Sequence, residues 1–142
     1  MYYGVSNMRK LGLLTLILNL SGVCFASELD SKIISVNGHQ IHYYQSGTKG
    51  SPVVLLTGYA TTSNFWPRDF VGCLASSHQV YLIDYRGINT SESIVASELT
   101  LKSMADDTNA VVIKLKLKNP TLIGWSMGGG VAQEASKNYN YR

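Results

Sequence analysis

Apolar and polar positions change rhythm several times along the chain, and each change marks an element. Residues 11–20 form a mostly apolar stretch, and from Lys32 onward short β-branched runs alternate with stretches of helical spacing. Residues 32–36 and 41–45 read as strands flanking Asn37-Gly38, a pair whose tolerance of positive φ suits a tight hairpin. Residues 52–56 and 80–83 are near-continuous apolar runs, as expected of strands covered on both faces. Between them, Asn64 is placed to cap a short helix carrying Phe65, Trp66, Phe70 and Leu74. After Thr100, the positions Leu101, Met104, Thr108, Val111, Val112 and Leu115 recur at helical spacing, and Asn119-Pro120 stops them. Thr121-Leu122-Ile123 reads as a further strand, and Val131, Ala132 and Ala135 continue as a helix. Strands alternating with helices after a hairpin predict an α/β domain with a mostly parallel sheet.

The first apolar stretch follows a different logic. Arg9 and Lys10 precede it, and Ala26 closes it ahead of the polar Ser27-Glu28. A basic start, an apolar centre and a small final residue are the parts of a secretory signal peptide, so residues 1–26 are expected to be a cleaved leader and the protein to be exported, periplasmic or secreted. Residues 11–26 fall short of the ~20 that a membrane span needs, and Asn19 interrupts them, so no stable span is expected after cleavage; retention as an anchor is the alternative. Residues 27–142 remain as the folded domain.

Charge then narrows the partners. The chain holds 12 Lys and Arg against 9 Asp and Glu, and loss of Arg9 and Lys10 would leave it close to neutral. Nucleic-acid binding needs a concentrated basic face, and Lys114, Lys116 and Lys118 are merely spaced at a helix end, so no nucleic-acid partner is expected. Cys73 is the single cysteine left after cleavage; set among Phe70, Val71 and Leu74, it reads as a buried structural thiol with no internal disulfide.

One motif carries chemistry. Gly124-Trp125-Ser126-Met127-Gly128 lies where the last strand passes into the last helix. A sharp turn there holds the serine in a strained backbone conformation with its hydroxyl exposed. Gly124 and Gly128 are needed because a side chain at either would collide with the neighbouring strand and helix. The Met127 N–H, at the helix start, is placed to donate to an oxyanion.

With this motif the chain resembles the α/β-hydrolase superfamily, from about Ile33 to its end. Leu55-Leu56-Thr57-Gly58-Tyr59 is similar to the family's strand-end His-Gly segment, and Asp84-Tyr85-Arg86-Gly87-Ile88-Asn89-Thr90-Ser91 to its Asp-x-Arg-Gly-x-Gly-x-Ser loop. The resemblance implies Ser126 as the catalytic nucleophile, Tyr59 and Met127 as oxyanion-hole donors, and Gly124 and Gly128 as elbow glycines. It implies cleavage of ester, thioester, amide or C–C bonds of small acyl or related substrates, without cofactor or metal. Thr57 stands where the family has histidine, and Asn89 where it has glycine; asparagine tolerates the left-handed conformation. Tyr59, Phe65 and Trp66 are candidates for an apolar acyl pocket or, equally, for core packing.

The activating base is missing from the described pattern. The family's order is Ser, then Asp or Glu, then His, yet the 16 residues after Ser126 contain Glu134 and no histidine. His39, His42 and His78 lie upstream and read as solvated or structural, and His39 with His42 make a poor metal pair because a strand sends residues three apart to opposite faces. The chain therefore reads as the N-terminal portion of an α/β-hydrolase fold lacking the C-terminal strands and inactive alone. Its last strand would be left as an open edge, with Met127 and Val131 short of neighbours. A non-enzymatic exported binding protein on a partial hydrolase scaffold is the alternative. A phosphate-binding glycine loop ranks last, for no G-x-G-x-x-G or P-loop pattern is present.

Overall fold

The computed structural model describes residues 28–89, 91, 94–139 and 141; the expected leader, residues 1–26, and its expected cleavage site lie outside them. Among the described residues the elements run β1 (Asp30–Val36), β2 (His39–Ser46), β3 (Pro52–Leu56), α1 (Arg68–Ala75), β4 (Gln79–Ile83), α2 (Leu101–Lys114), β5 (Thr121–Gly124) and α3 (Met127–Ala135). Asn37 and Gly38 both take positive φ, 50° and 80°, and so close β1 and β2 into the expected hairpin.

One five-stranded sheet has the order β1-β2-β4-β3-β5. The β1–β2 and β2–β4 pairs are antiparallel, whereas β3 runs parallel to both β4 and β5. The family's α/β architecture is thus present as a mixed sheet with flanking helices. Because successive strand residues face opposite ways, β3 feeds two cores. Val54 and Leu56 pack with Ile83, Met104, Val111, Val112 and Val131 toward α2 and α3. Val53 and Leu55 pack with Trp66, Val71, Val80 and Leu82 toward α1.

Three expectations need correction. Asn64 caps nothing: Thr62 caps a single 3-10 turn, Ser63–Phe65, and α1 starts beyond Pro67 at Arg68, where the fixed proline φ suits a helix start. Cys73 is exposed on α1 rather than buried, and it is disulfide-bonded rather than a lone thiol. Val131 is fully buried and Met127 packs against the same core, since α3 lies back on α2 instead of needing cover from elsewhere. By contrast α2 starts as anticipated: Thr100 Oγ1 accepts from the Ser103 N–H, and Ser103 Oγ in turn accepts from the Thr100 N–H, satisfying two otherwise orphan donors.

The parallel order sets the site. β3, β4 and β5 all end on one side of the sheet, so the loops after Leu56, Ile83 and Gly124 converge there. β2 runs the other way, which brings His39 and His42 to that same end, with His42 beside Asp84.

Candidate active site

Ser126 occupies the turn from β5 into α3 with φ 53° and ψ −118°. This is a sparsely populated region for a residue with a Cβ, at a cost of about 1–3 kcal/mol. Close contact imposes it. A Cβ on Gly124 would lie 2.3 Å from the Gly128 backbone, and one on Gly128 would lie 2.3 Å from the Leu56 carbonyl oxygen, so only glycine lets the helix start this close to the strands. The turn is tied down by main-chain bonds: Trp125 N–H to the Leu56 carbonyl at 3.0 Å and Gly129 N–H to the Ser126 carbonyl at 2.9 Å. The Ser126 side chain is exposed, and no described residue hydrogen-bonds to its hydroxyl.

Tyr59 and Met127 come together. Both line a small cavity of about 120 Å³ with Gly58, Ala60, Tyr85, Ile88 and Leu99. Gly58 abuts the serine turn, for a Cβ there would be 3.4 Å from Ser126 Cβ and 3.1 Å from Trp125 Cδ1. Among the described residues neither the Tyr59 nor the Met127 backbone N–H has a main-chain acceptor. The Tyr59 ring is largely exposed.

The segment carrying Tyr59 is pinned from the β4 exit. Asp84, fully buried, accepts from Ser63 N–H at 2.6 Å and from Ser63 Oγ at 2.7 Å. The next residue, Tyr85, donates its hydroxyl to the Thr57 carbonyl at 3.2 Å, and burial holds its phenol well above the ordinary tyrosine value. Two consecutive side chains thus fix both ends of residues 57–63. Within that span Thr61 Oγ1 donates to the Gly58 carbonyl at 3.0 Å, and Ala60 is held at φ 54°, a second strained position.

His39, His42 and Arg86 form a separate layer, with His78 at the opposite end of β4. His42, buried, has Nε2 2.7 Å from Ser31 Oγ and Nδ1 3.5 Å from Asp84 Oδ2. Arg86 binds Asp107 through two short bonds, Nε and Nη2 each at 2.6 Å, a bidentate pair whose hydrogen bonding raises the guanidinium pKa. His39 Nε2 lies 3.0 Å from Arg86 Nη1, and His78 sits beside Ser77 at the start of β4. None of these histidines contacts Ser126, and Glu134 pairs with Lys137 on the surface. Among the described residues no His, Cys, Asp or Glu cluster could hold a metal, and no helix is long and apolar enough to cross a membrane.

Beside the serine turn lies an aromatic cleft that the sequence only hinted at. Phe65, Trp66, Pro67, Phe70 and Trp125 line a volume of about 460 Å³, within the range of small-ligand pockets. Trp66 stacks on Phe70 at 5.5 Å, and Trp125 packs on Phe65 at the same centroid distance. Phe65 and Trp66 were candidates for it. Trp125 and Phe70 were not, although the position of Trp125 immediately before Ser126 was the available signal. The Trp66 Nε1–H is buried with no acceptor among the described residues.

Residues 51–142 match a family model described as alpha/beta hydrolase fold. The chain belongs to that family. It is 30% identical over 94 residues to the pimeloyl-[acyl-carrier protein] methyl ester esterase of Aeromonas hydrophila, covering 66% of this chain and 35% of that protein. It is also 30% identical to the mesoderm-specific transcript homolog protein of Homo sapiens, covering 84% of this chain and 37% of the relative. Among solved structures, the epoxide hydrolase CorEH superposes with a TM-score of 0.73 at 30% identity, over 80% of this chain and 40% of the other. The chain spans about a third of the length of the curated relatives it matches.

Proposed function

We propose that Ser126 is the nucleophile of a serine hydrolase acting on small acyl substrates, ester, thioester, amide or C–C, with Tyr59 and Met127 N–H groups receiving the oxyanion. The observation that carries this reading is the Ser126 backbone at φ 53° between two glycines that admit no side chain, in a chain whose Tyr59 and Met127 line one small cavity. Attack by the Ser126 hydroxyl on a carbonyl would form a tetrahedral intermediate whose negative oxygen would be favoured by the Tyr59 and Met127 N–H groups and by the N-terminus of α3. The aromatic cleft supports an apolar acyl portion, shielded by Trp125 and Phe65 next to the reacting oxygen.

A serine hydroxyl needs a base to take its proton, and none of the described histidines reaches Ser126. In this reading the chain supplies the nucleophile and the oxyanion donors of the site. The exported location remains part of the proposal, resting on Arg9, Lys10 and the apolar residues that follow.

Incubation with an alkyl fluorophosphonate, followed by peptide mass spectrometry, tests the assignment. Ser126 should be phosphonylated slowly in buffer and faster when imidazole supplies a base, with no label in Ser126→Ala. Absence of label under both conditions, or labelling of another serine, would overturn it. The non-enzymatic reading would be favoured by a chain that folds cooperatively, binds a defined partner and leaves Ser126 unreactive.

A further inference from the structure

We infer that Asn89 is a positioning residue: its side-chain amide locks the buried Asp84 carboxylate, and through it the whole segment that carries the Tyr59 N–H, against the serine turn. The inference rests on the reading of Tyr59 as an oxyanion donor, and it concerns a residue at which the chain departs from the glycine of the family pattern.

Asp84 Oδ1 is used twice by Ser63, at 2.6 and 2.7 Å. Asp84 Oδ2 has one strong donor, Asn89 Nδ2 at 2.7 Å, with His42 Nδ1 farther off at 3.5 Å. A carboxylate with no solvent exposure depends on the donors around it, because burial penalises a charge that is not hydrogen-bonded. Arg86 is committed to Asp107 by two bonds and does not share this task. Asn89 is therefore the outer bolt of a chain of contacts that runs from Asn89 through Asp84 and Ser63 to the loop bearing Tyr59.

Asn89 does two separable jobs. Its backbone takes φ 54°, which glycine would do at least as easily. Its side chain also lies 3.2 Å from both Tyr44 Oη and His42 Nδ1, so the amide is held at the meeting point of β2 and the loop after β4. Glycine would keep the turn and lose the bolt. The substitution toward the family pattern thus isolates the side-chain contribution.

Hydrogen exchange followed by mass spectrometry on the full chain is the test. In Asn89→Gly, amides of residues 58–63 should exchange about tenfold faster or more, the loss expected for one hydrogen bond to a charged group, while β3 and β4 amides keep their protection. Asn89→Asp, which retains the shape but sets a second carboxylate against Asp84, should open the same segment further. Ser63→Ala, which removes the Oγ donor and keeps the N–H bond to Asp84, should loosen the same segment, and combining it with Asn89→Gly should give an effect that departs from the sum of the two. Unchanged exchange at 58–63 in Asn89→Gly would overturn the proposal, and so would uniform loss of protection across the sheet, since the role is local. Fluorophosphonate labelling separates this from the functional reading. An unlabelled Ser126 in the unmutated chain defeats the nucleophile assignment while the exchange result still decides Asn89. A labelled Ser126 should react more slowly in Asn89→Gly with sheet protection intact.

Discussion

The exits of β4 and β5 lie two strands apart in one sheet, yet they hold their share of the site by opposite means. At the β4 exit, Asp84 and Tyr85 are buried and reach sideways with side-chain hydrogen bonds to Ser63 and Thr57. At the β5 exit no side-chain hydrogen bond contributes among the described residues. Ser126 is held at φ 53° by the absence of side chains on Gly124 and Gly128 and by main-chain bonds to Leu56 and within the turn. The loop of residues 57–63 is thus positioned by a polar network, and Ser126 by steric exclusion. The two mechanisms have different failure modes: a network loses its hold when one donor goes, whereas a steric constraint breaks when one methyl group is added.

The largest effect should come from breaking the network at its centre. Asp84→Ala leaves Ser63 N–H, Ser63 Oγ and Asn89 Nδ2 without their acceptor, and each buried donor left unsatisfied costs about 1–3 kcal/mol; urea unfolding should show a lowered midpoint at unchanged slope. Next is Gly128→Ala. Its Cβ would meet the Leu56 carbonyl oxygen at 2.3 Å, backbone against backbone, and should cost about 3 kcal/mol by the same measurement. A loss within experimental error would mean that the turn can open, and the contrast between the two exits would fail.

Ser126→Gly sharpens the contrast in the other direction. Removing the Cβ from a strained φ should stabilise the chain by about 1 kcal/mol, read as a raised unfolding midpoint, whereas Ser63→Gly on the network side should destabilise. The smallest effect is on alkaline stability. Burial raises the Tyr85 pKa above its ordinary value of 10.0, so the neutral phenol is favoured in the folded chain. That contribution is present below about pH 10 and is lost as the pH rises through the folded value. Unfolding free energies followed from about pH 8 to about pH 11 should fall more steeply in the unmutated chain than in Tyr85→Phe.

This division also explains what could be read from residues alone. The steric half was legible because its cause is local: Gly124 and Gly128 sit two positions either side of Ser126, between a β run and a helical run, and the reason for each glycine can be stated from the turn itself. The succession of strands and helices along the chain, the Asn37-Gly38 hairpin and the Thr100 start of α2 were legible for the same reason. The network half was not. Nothing near Ser63 in the sequence indicates that it will meet Asp84, 21 residues away, or that Asn89 supplies a donor as well as a turn. Phe65 and Trp66 could be suspected of lining a pocket, but Trp125 joins them only because β5 lies beside β3. The Asn64 cap failed on chemistry of similar scale, since Thr62 offers an equally good oxygen two residues earlier and Pro67 sets the true helix start.

If Ser126 is the proposed nucleophile, its chemistry should wait on an added base, because the described histidines are bonded to Ser31, Ser77, Arg86 and Asn89. The most direct measurement is the hydrolysis of p-nitrophenyl butyrate by the chain and by Ser126→Ala, with and without imidazole. The account predicts equal rates for the two proteins in buffer alone, and an excess for the Ser126 protein that appears only when imidazole is added. Turnover by the Ser126 protein without imidazole, or identical rates for both proteins in its presence, would contradict it.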